Sequence, residues 1–456
     1  MTTAAAAILD RWTVTRNACK LCTPLGACLA FKGIGNCLAF LHGSQGCSTY
    51  IRRYMISHFK EPIDIACSNF SEHTAVFGGG SELHRGLDNI VRQYDPAVIG
   101  IMTTCLSETI GEDVGSLVKA YREARPDLAA ALVHVSTPSY RGTHAEGFHD
   151  AVRAVAEQLA EPGGGRGEHL NVLPGMLSPA DLRYLKELFA DFGVEAILLP
   201  DYSETLDGGP WDRYEAIPSG GTPLAAIRRM GTARATLELG HVLAGREQSA
   251  GKSLRDRHQV PLHAMGLPIG IVETDRLCRT IEALVGRPLP ARHVADRQRL
   301  VDAYADGHKY VSGKRAVVFG EEDFACALAL FLHEIGIQPV VVASGGRTGL
   351  LEESLAELRA ARGTDLTVAG DVDFLTMAEL AKSARADLVV GNSKGYKLSG
   401  ELGIPLVRVG FPVHDRFGAS RLLHVGYRGA QQLFDRIVNT IIARSQESDE
   451  IGYSYI

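Results

Sequence analysis

Three cysteines stand out by what flanks them. Cys47 closes His42-Gly43-Ser44-Gln45-Gly46-Cys47, a glycine-flanked turn directly after the apolar run Leu38-Ala39-Phe40-Leu41. Cys22 precedes Thr23-Pro24-Leu25-Gly26, and Cys105 ends Val98-Ile99-Gly100-Ile101-Met102-Thr103-Thr104, which reads as a strand and its exit. A thiolate at a strand end or tight turn can face a large inorganic group while backbone amides reach its sulfur, the setting of iron–sulfur ligands. The competing reading is three buried structural cysteines, because free Cys is among the most buried residue types. Their shared setting at turns and strand ends favours the ligand reading. Three thiolates do not complete a four-coordinate zinc site, and the CxxC formed by Cys19 and Cys22 lacks the companion pair of a zinc ribbon. That CxxC stays open as a redox pair or half of a metal site.

The elements that would carry these residues follow from size and pattern. At 456 residues the chain is long for one domain, and roughly two to four are expected. Hydrophobic residues make up 45% and charged residues 22%, which leaves ample core, and 49 glycines suit many βα turns. A net charge of -6 without a basic-aromatic stretch gives no support to a nucleic-acid partner. The N-terminus lacks a secretory pattern, no segment offers the ~18 apolar residues of a membrane span, and nine cysteines, most before residue 106, suit a reducing compartment. The expectation is a cytoplasmic protein with no membrane partner.

The grammar is strand, turn, helix, strand. Residues 1–18 form a leader, with Trp12 as its anchor on a neighbouring surface. Residues 19–162 make a first α/β domain carrying the candidate cysteines, with helices over 48–59, 83–94 and 114–125 and strands over 97–102 and 131–136. Glu161-Pro162-Gly163-Gly164-Gly165-Arg166-Gly167 is a linker, since Pro and a glycine cluster do not hold regular structure cheaply. A second α/β domain spans 167–290, and a third, with C-terminal helices, spans 291–456. The fold class is α/β with parallel sheets, whose sites gather at the carboxyl ends of strands.

The residues carry a family resemblance. Lys20-Leu21-Cys22-Thr23-Pro24-Leu25-Gly26-Ala27, His42 to Cys47, His58-Phe59-Lys60-Glu61-Pro62, Ala75-Val76-Phe77-Gly78-Gly79 and Thr103-Thr104-Cys105-Leu106-Ser107-Glu108-Thr109-Ile110-Gly111 resemble the β-type subunit of nitrogenase component 1. The likeness continues through Thr137-Pro138-Ser139-Tyr140, Pro268-Ile269-Gly270 and Arg408-Val409-Gly410-Phe411-Pro412, so it covers nearly the whole chain. It implies three Rossmann-like domains and an α2β2 heterotetramer with an α-type subunit. It further implies an 8Fe–7S P-cluster at the αβ interface, with Cys22, Cys47 and Cys105 as the ligands from this side and Ser139 as a hydroxyl that approaches the oxidised cluster. Phe77 matches an aromatic of the surface that transiently docks an ATP-dependent iron–sulfur reductase protein; a core aromatic is the other reading. Glu61, with Asp302 and Asp306 four apart on one helix face, matches a metal site between β-type subunits that would suit a hard divalent cation. Solvated carboxylates are the ordinary alternative.

The departures bear on function. Cys19, Cys28, Cys37 and Cys67 lie outside the usual ligand set, and no cysteine and histidine pair matches the cofactor ligands of the α-type subunit. A larger iron–sulfur cofactor is therefore expected on the partner, with no catalytic residue here. The resemblance implies an oxidoreductase that acts as part of a complex, relaying electrons for reductive C–S cleavage of methylthio-alkanes or for dinitrogen reduction. The alternative is a non-catalytic scaffold for nitrogenase cofactor assembly, whose interface would hold a smaller 4Fe–4S cluster. A protochlorophyllide reductase type fits the Thr-Pro-Ser and Phe-Pro segments less well.

Overall fold

A computed structural model describes residues 18–362 and 365–448; the leader with Trp12 lies outside the described residues except for Ala18. The chain gathers into two compact units, one of Leu21–Glu238 with Glu247–Ala264, the other of the remainder. The first sheet holds β1 (Cys37–His42), β2 (Ala66–Cys67), β3 (Val98–Thr103) and β4 (Ala131–Val135) in the order β2-β1-β3-β4. The second holds β5 (Leu170–Leu173), β6 (Ala196–Leu198), β7 (Ala235–Leu239) and β8 (Leu262–Met265) in the order β6-β5-β7-β8. The third holds β9 (Arg315–Gly320), β10 (Gln338–Ser344), β11 (Thr367–Ala369), β12 (Leu388–Gly391) and β13 (Leu406–Arg408) in the order β11-β10-β9-β12-β13. The pairings within the first and third sheets are parallel.

The first sheet positions the candidate site. Every residue of β1 and β3 is buried, as a sheet covered on both faces requires, which is why Cys37–His42 and Val98–Thr103 read as apolar runs without alternation. The register runs from Cys37 opposite Val98 to His42 opposite Thr103, so the two strands end level. The chain leaves β1 for β2 on one side and reaches β3 on the other. Their shared carboxyl edge is thus the switch point at which crossover loops diverge and ligands bind in such sheets.

Both faces are then closed. On one, Leu38, Phe40, Ile99 and Ile101 pack with Leu83, Leu87 and Ile90 of the Gly80–Tyr94 helix and with Val114, Val118 and Tyr121 of the Val114–Ala124 helix. On the other lies the Thr23–Lys32 helix, whose Phe31 ring fills the space beside Gly100; a Cβ there would meet the ring at 2.3 Å. The sequence after Cys22 reads as a turn, but it is this helix, with Pro24 tolerated because the first turn has no intrahelical acceptor for its missing N–H. Gly46 likewise belongs to a helix, Gln45–Phe59, so the bend after β1 is confined to Gly43 and Ser44.

The Thr23–Lys32 helix crosses the His144–Leu159 helix at backbone distance. A Cβ on Gly26 would stand 1.7 Å from the His144 carbonyl oxygen, and one on Gly147 would stand 2.0 Å from the Thr23 carbonyl oxygen. Neither obstacle is a flexible side chain, so relief would need the helices to separate. Gly26→Ala is therefore expected to cost several kcal/mol, at or above the ~3 kcal/mol end of overpacking penalties. Gly46→Ala, whose Cβ would meet nothing within 4 Å, should be neutral or stabilising by up to ~1 kcal/mol, as Gly to Ala inside a helix usually is. Denaturant unfolding of the two full-length variants separates the cases; equal stabilities would refute the close crossing.

Candidate functional site

Four adjacent strands deliver one group each to a single edge of the first sheet. In sheet order these are Cys67 at the end of β2, Cys47 beyond β1, Cys105 beyond β3 and Ser139 beyond β4. Cys22 arrives separately as the N-cap of the Thr23–Lys32 helix. Cys47 sits in the first turn of the Gln45–Phe59 helix, and Cys105 opens the Cys105–Thr109 helix, whose start is fixed by a capping box between Thr104 and Ser107. All three predicted ligand cysteines thus occupy helix N-terminal ends, where the first backbone amides have no intrahelical partner.

Short contacts tie these ends together. The Ser139 amide donates to Cys105 Sγ at 3.2 Å, while Ser139 Oγ accepts the Thr23 amide at 3.2 Å. Ser139 therefore joins the Cys105 end to the Cys22 end. Ser44 Oγ lies 4.0 Å from Cys47 Sγ as a donor, and the Tyr50 hydroxyl is hydrogen-bonded to Cys22. Burial pushes the Cys47 thiol above its ordinary pKa; the Ser44 contact opposes this, and Cys22, Cys105 and Cys67 are near enough to raise it further. Such a thiol is released from its proton when a metal takes the sulfur.

The donor set suits a large group better than a single ion. Among the described residues, no three His, Cys, Asp or Glu side chains close on one metal ion. Yet Cys47 is electrostatically coupled to the other thiols, and Cys22 and Cys47 are half-buried while Cys105 is exposed. Thiols spread in this way fit separate irons of a polynuclear cluster. The remaining early cysteines behave otherwise. Cys19, Cys28 and Cys37 are buried, and burial pushes each thiol up to about 12. Cys19 packs among Val317, Val341 and Val389 in an apolar core, which overturns its reading as a redox partner of Cys22.

Phe77 ends the short Glu72–Phe77 helix and is 76% exposed, beside Val76 at 74%, which overturns the core-aromatic reading. Asp302 and Asp306 are exposed on the Ala291–Val311 helix. Glu61 is half-buried in the other unit, where burial and then Asp207 raise its pKa. The structure does not bring the three carboxylates together within one unit.

Sequence reasoning missed several members of the site. Cys67 ends a strand of two residues, too short to leave an apolar run, and only the parallel pairing of Leu41 with Cys67 brings it to the edge. Tyr50 was readable only as a helix residue. His42 and Glu112 form a buried hydrogen-bonded pair, with side chains 0% and 7% exposed. The signal for that pair was a histidine at the end of a buried strand.

Comparison with known proteins gives the family. Residues 22–442 match the family model for nitrogenase component 1 type oxidoreductase. The chain is 35% identical over 437 residues to the nitrogenase molybdenum-iron protein beta chain of Clostridium pasteurianum, covering 95% of each. It is 34% identical to the nitrogenase vanadium-iron protein beta chain of Trichormus variabilis over 92% of this chain and 93% of that one. It is also 33% identical to the nitrogenase iron-molybdenum cofactor biosynthesis protein NifN of Bradyrhizobium diazoefficiens, over 95% and 91%. A solved structure of nitrogenase Cp1 at pH 6.5 superposes with a TM-score of 0.94 at 34% identity, covering 98% of both chains. With its thiols at the carboxyl edge of a parallel sheet and this likeness along its whole length, the chain belongs to the nitrogenase component 1 family as a β-type subunit.

Proposed function

We propose that this chain is the β-type subunit of a nitrogenase-like reductase complex. It holds half of an 8Fe–7S P-cluster at the interface with an α-type partner, in an α2β2 heterotetramer. It relays electrons from an ATP-dependent iron–sulfur reductase protein to a larger iron–sulfur cofactor on that partner. The reaction served is reductive C–S cleavage of methylthio-alkanes or reduction of dinitrogen. The observation that carries the reading is the convergence of Cys22, Cys47 and Cys105 on one sheet edge, each at a helix start and none sealed in the core.

When bound, the cluster supplies a store and conduit for single electrons. The chain's own residues set its surroundings. Cys22, Cys47 and Cys105 would hold it, and the Ser139 amide, donating to Cys105 Sγ, withdraws charge from that sulfur and favours the reduced state. Ser139 Oγ stands at the same edge as the oxygen that would approach a more oxidised cluster. The exposed Val76 and Phe77 pair offers an apolar knuckle for the reductase protein, the kind of anchor that dominates docking energetics. Glu61, Asp302 and Asp306 would enter a metal site only across two β-type subunits.

A second reading has a specific support: the likeness to NifN over nearly the whole chain, which favours a non-catalytic scaffold with a 4Fe–4S interfacial cluster. Retention of three converging thiols favours the reductase.

Two outcomes test the reading. The complex purified anaerobically with its partner should contain about eight irons per αβ interface and show a redox-dependent EPR signal, both lost in Cys47→Ala; four irons would transfer the chain to the scaffold reading, and unchanged iron in Cys47→Ala would sink the ligand assignment. Phe77→Ala should leave interfacial iron intact but weaken reductase binding by about tenfold or more, roughly 1.4 kcal/mol or above for a lost aromatic anchor; undiminished affinity would remove Phe77 from the docking surface.

A further inference from the structure

One buried carboxylate links three segments that the relay uses separately. Glu112 lies in the loop after the Cys105–Thr109 helix, and its own amide donates to the Ser107 carbonyl at 3.2 Å. One of its carboxylate oxygens accepts the Gly79 amide, and the other accepts from His42 Nε2. Gly79 belongs to the turn that follows the helix bearing Val76 and Phe77. His42 is the last residue of β1, just ahead of the bend that leads to Cys47.

The packing leaves these segments little independent freedom. Gly78 holds a φ of 92°, and a Cβ added to it would stand 3.5 Å from the Glu112 oxygen that Gly79 contacts. A Cβ on Gly79 would meet the Phe70 ring at 2.5 Å. Phe70 in turn stands edge-on to the His42 ring, with centroids 4.8 Å apart and planes at 89°. The Phe70 amide donates to the Gly43 carbonyl at 3.0 Å. The His42 carbonyl accepts from Thr104 Oγ1 at 3.2 Å, and the same Thr104 caps the helix that begins at Cys105. Pulling the Gly79 turn away would strip a hydrogen bond from a buried carboxylate, a loss of order 1–3 kcal/mol that is felt strongly where water is excluded. The less costly response is for Glu112 to follow, carrying His42 and the loop after Cys105 with it.

We propose that Glu112 is a positioning residue that couples the Val76–Phe77 surface to the loops of Cys47 and Cys105, so that a partner seated on that surface alters the setting of both thiols. The coupling runs through one bifurcated carboxylate and needs no contact between the partner and the thiols. It is reciprocal, as any coupling between binding equilibria must be: a change of state at the thiols alters affinity at the knuckle. The proposal rests on the docking reading above.

The test uses the assembled complex and the reductase protein held docked with a non-hydrolysable ATP analogue. The midpoint potential of the interfacial cluster is measured free and docked, in the wild type, Glu112→Ala and Glu112→Gln. Docking should shift the wild-type potential. Glu112→Ala should retain interfacial iron and bind the reductase, yet lose at least half of the shift. Glu112→Gln, which can still accept from Gly79 and bond His42, should restore it. A full shift in iron-replete Glu112→Ala, or no shift in a docked wild type, overturns the coupling. Hydrogen exchange of the wild type gives a readout independent of any variant: docking should change protection in peptides spanning 42–47 and 105–112, and unchanged protection there also overturns it. Failure of the wild-type complex to bind the reductase at all is a different result, because it removes the docking surface itself.

Discussion

Backbone meets backbone where the Thr23–Lys32 helix crosses the His144–Leu159 helix, and the placement of the thiols depends on that contact. Glycine inside a helix costs up to ~1 kcal/mol relative to alanine, and the chain accepts it at both Gly26 and Gly147, each facing the other helix's carbonyl. What the crossing gives is a fixed position for Cys22. The Leu21 amide donates to His144 Nδ1 at 3.4 Å, and the His144 amide returns a bond to the Leu21 carbonyl at 3.1 Å. Ser139 stands just before the second helix and reaches Thr23 and Cys105 from there. Cys22 is therefore set against Cys105 through backbone contacts, with few flexible side chains in between.

The parts of this arrangement that follow from local pattern were legible in the sequence. Strands such as Val98–Thr103 and Ala131–Val135, and the Val114–Ala124 helix, fall within one residue of the positions that apolar runs and periodicity give. The cysteines at strand exits were legible for the same reason, since a buried parallel strand announces its own end. The Thr23–Lys32 helix was not, because all ten of its residues are buried and it has no polar face to set a period. Nor was Cys67, whose role comes from sheet order alone. Parallel pairing joins residues far apart in the chain, and no local signal states which strands will lie side by side.

Polar pairs escaped for a related reason. His42 and Glu112 are 70 residues apart and meet only because β1 and β3 end level. A buried polar pair contributes little net stability once desolvation is counted, yet removing one member is costly because it leaves the other unsatisfied. Such pairs therefore act less as a source of stability than as a constraint on geometry. Burial pushes His42 below its ordinary pKa, and Glu112 opposes the shift.

The same accounting bears on why the thiols are placed where they are. Burial alone holds a cysteine protonated, as it does at Cys19, Cys28 and Cys37. Full exposure would leave a cluster open to water and to oxidation. Cys22 and Cys47 occupy the middle ground, half-buried at the starts of helices of ten and fifteen residues. At Cys47 the Ser44 hydroxyl offsets part of the desolvation that burial imposes. A set of this kind suits a polynuclear metal group, but its exposed side must be closed by something else. In the proposed relay that closure is the α-type partner, which makes cluster retention a property of the interface and not of either chain alone.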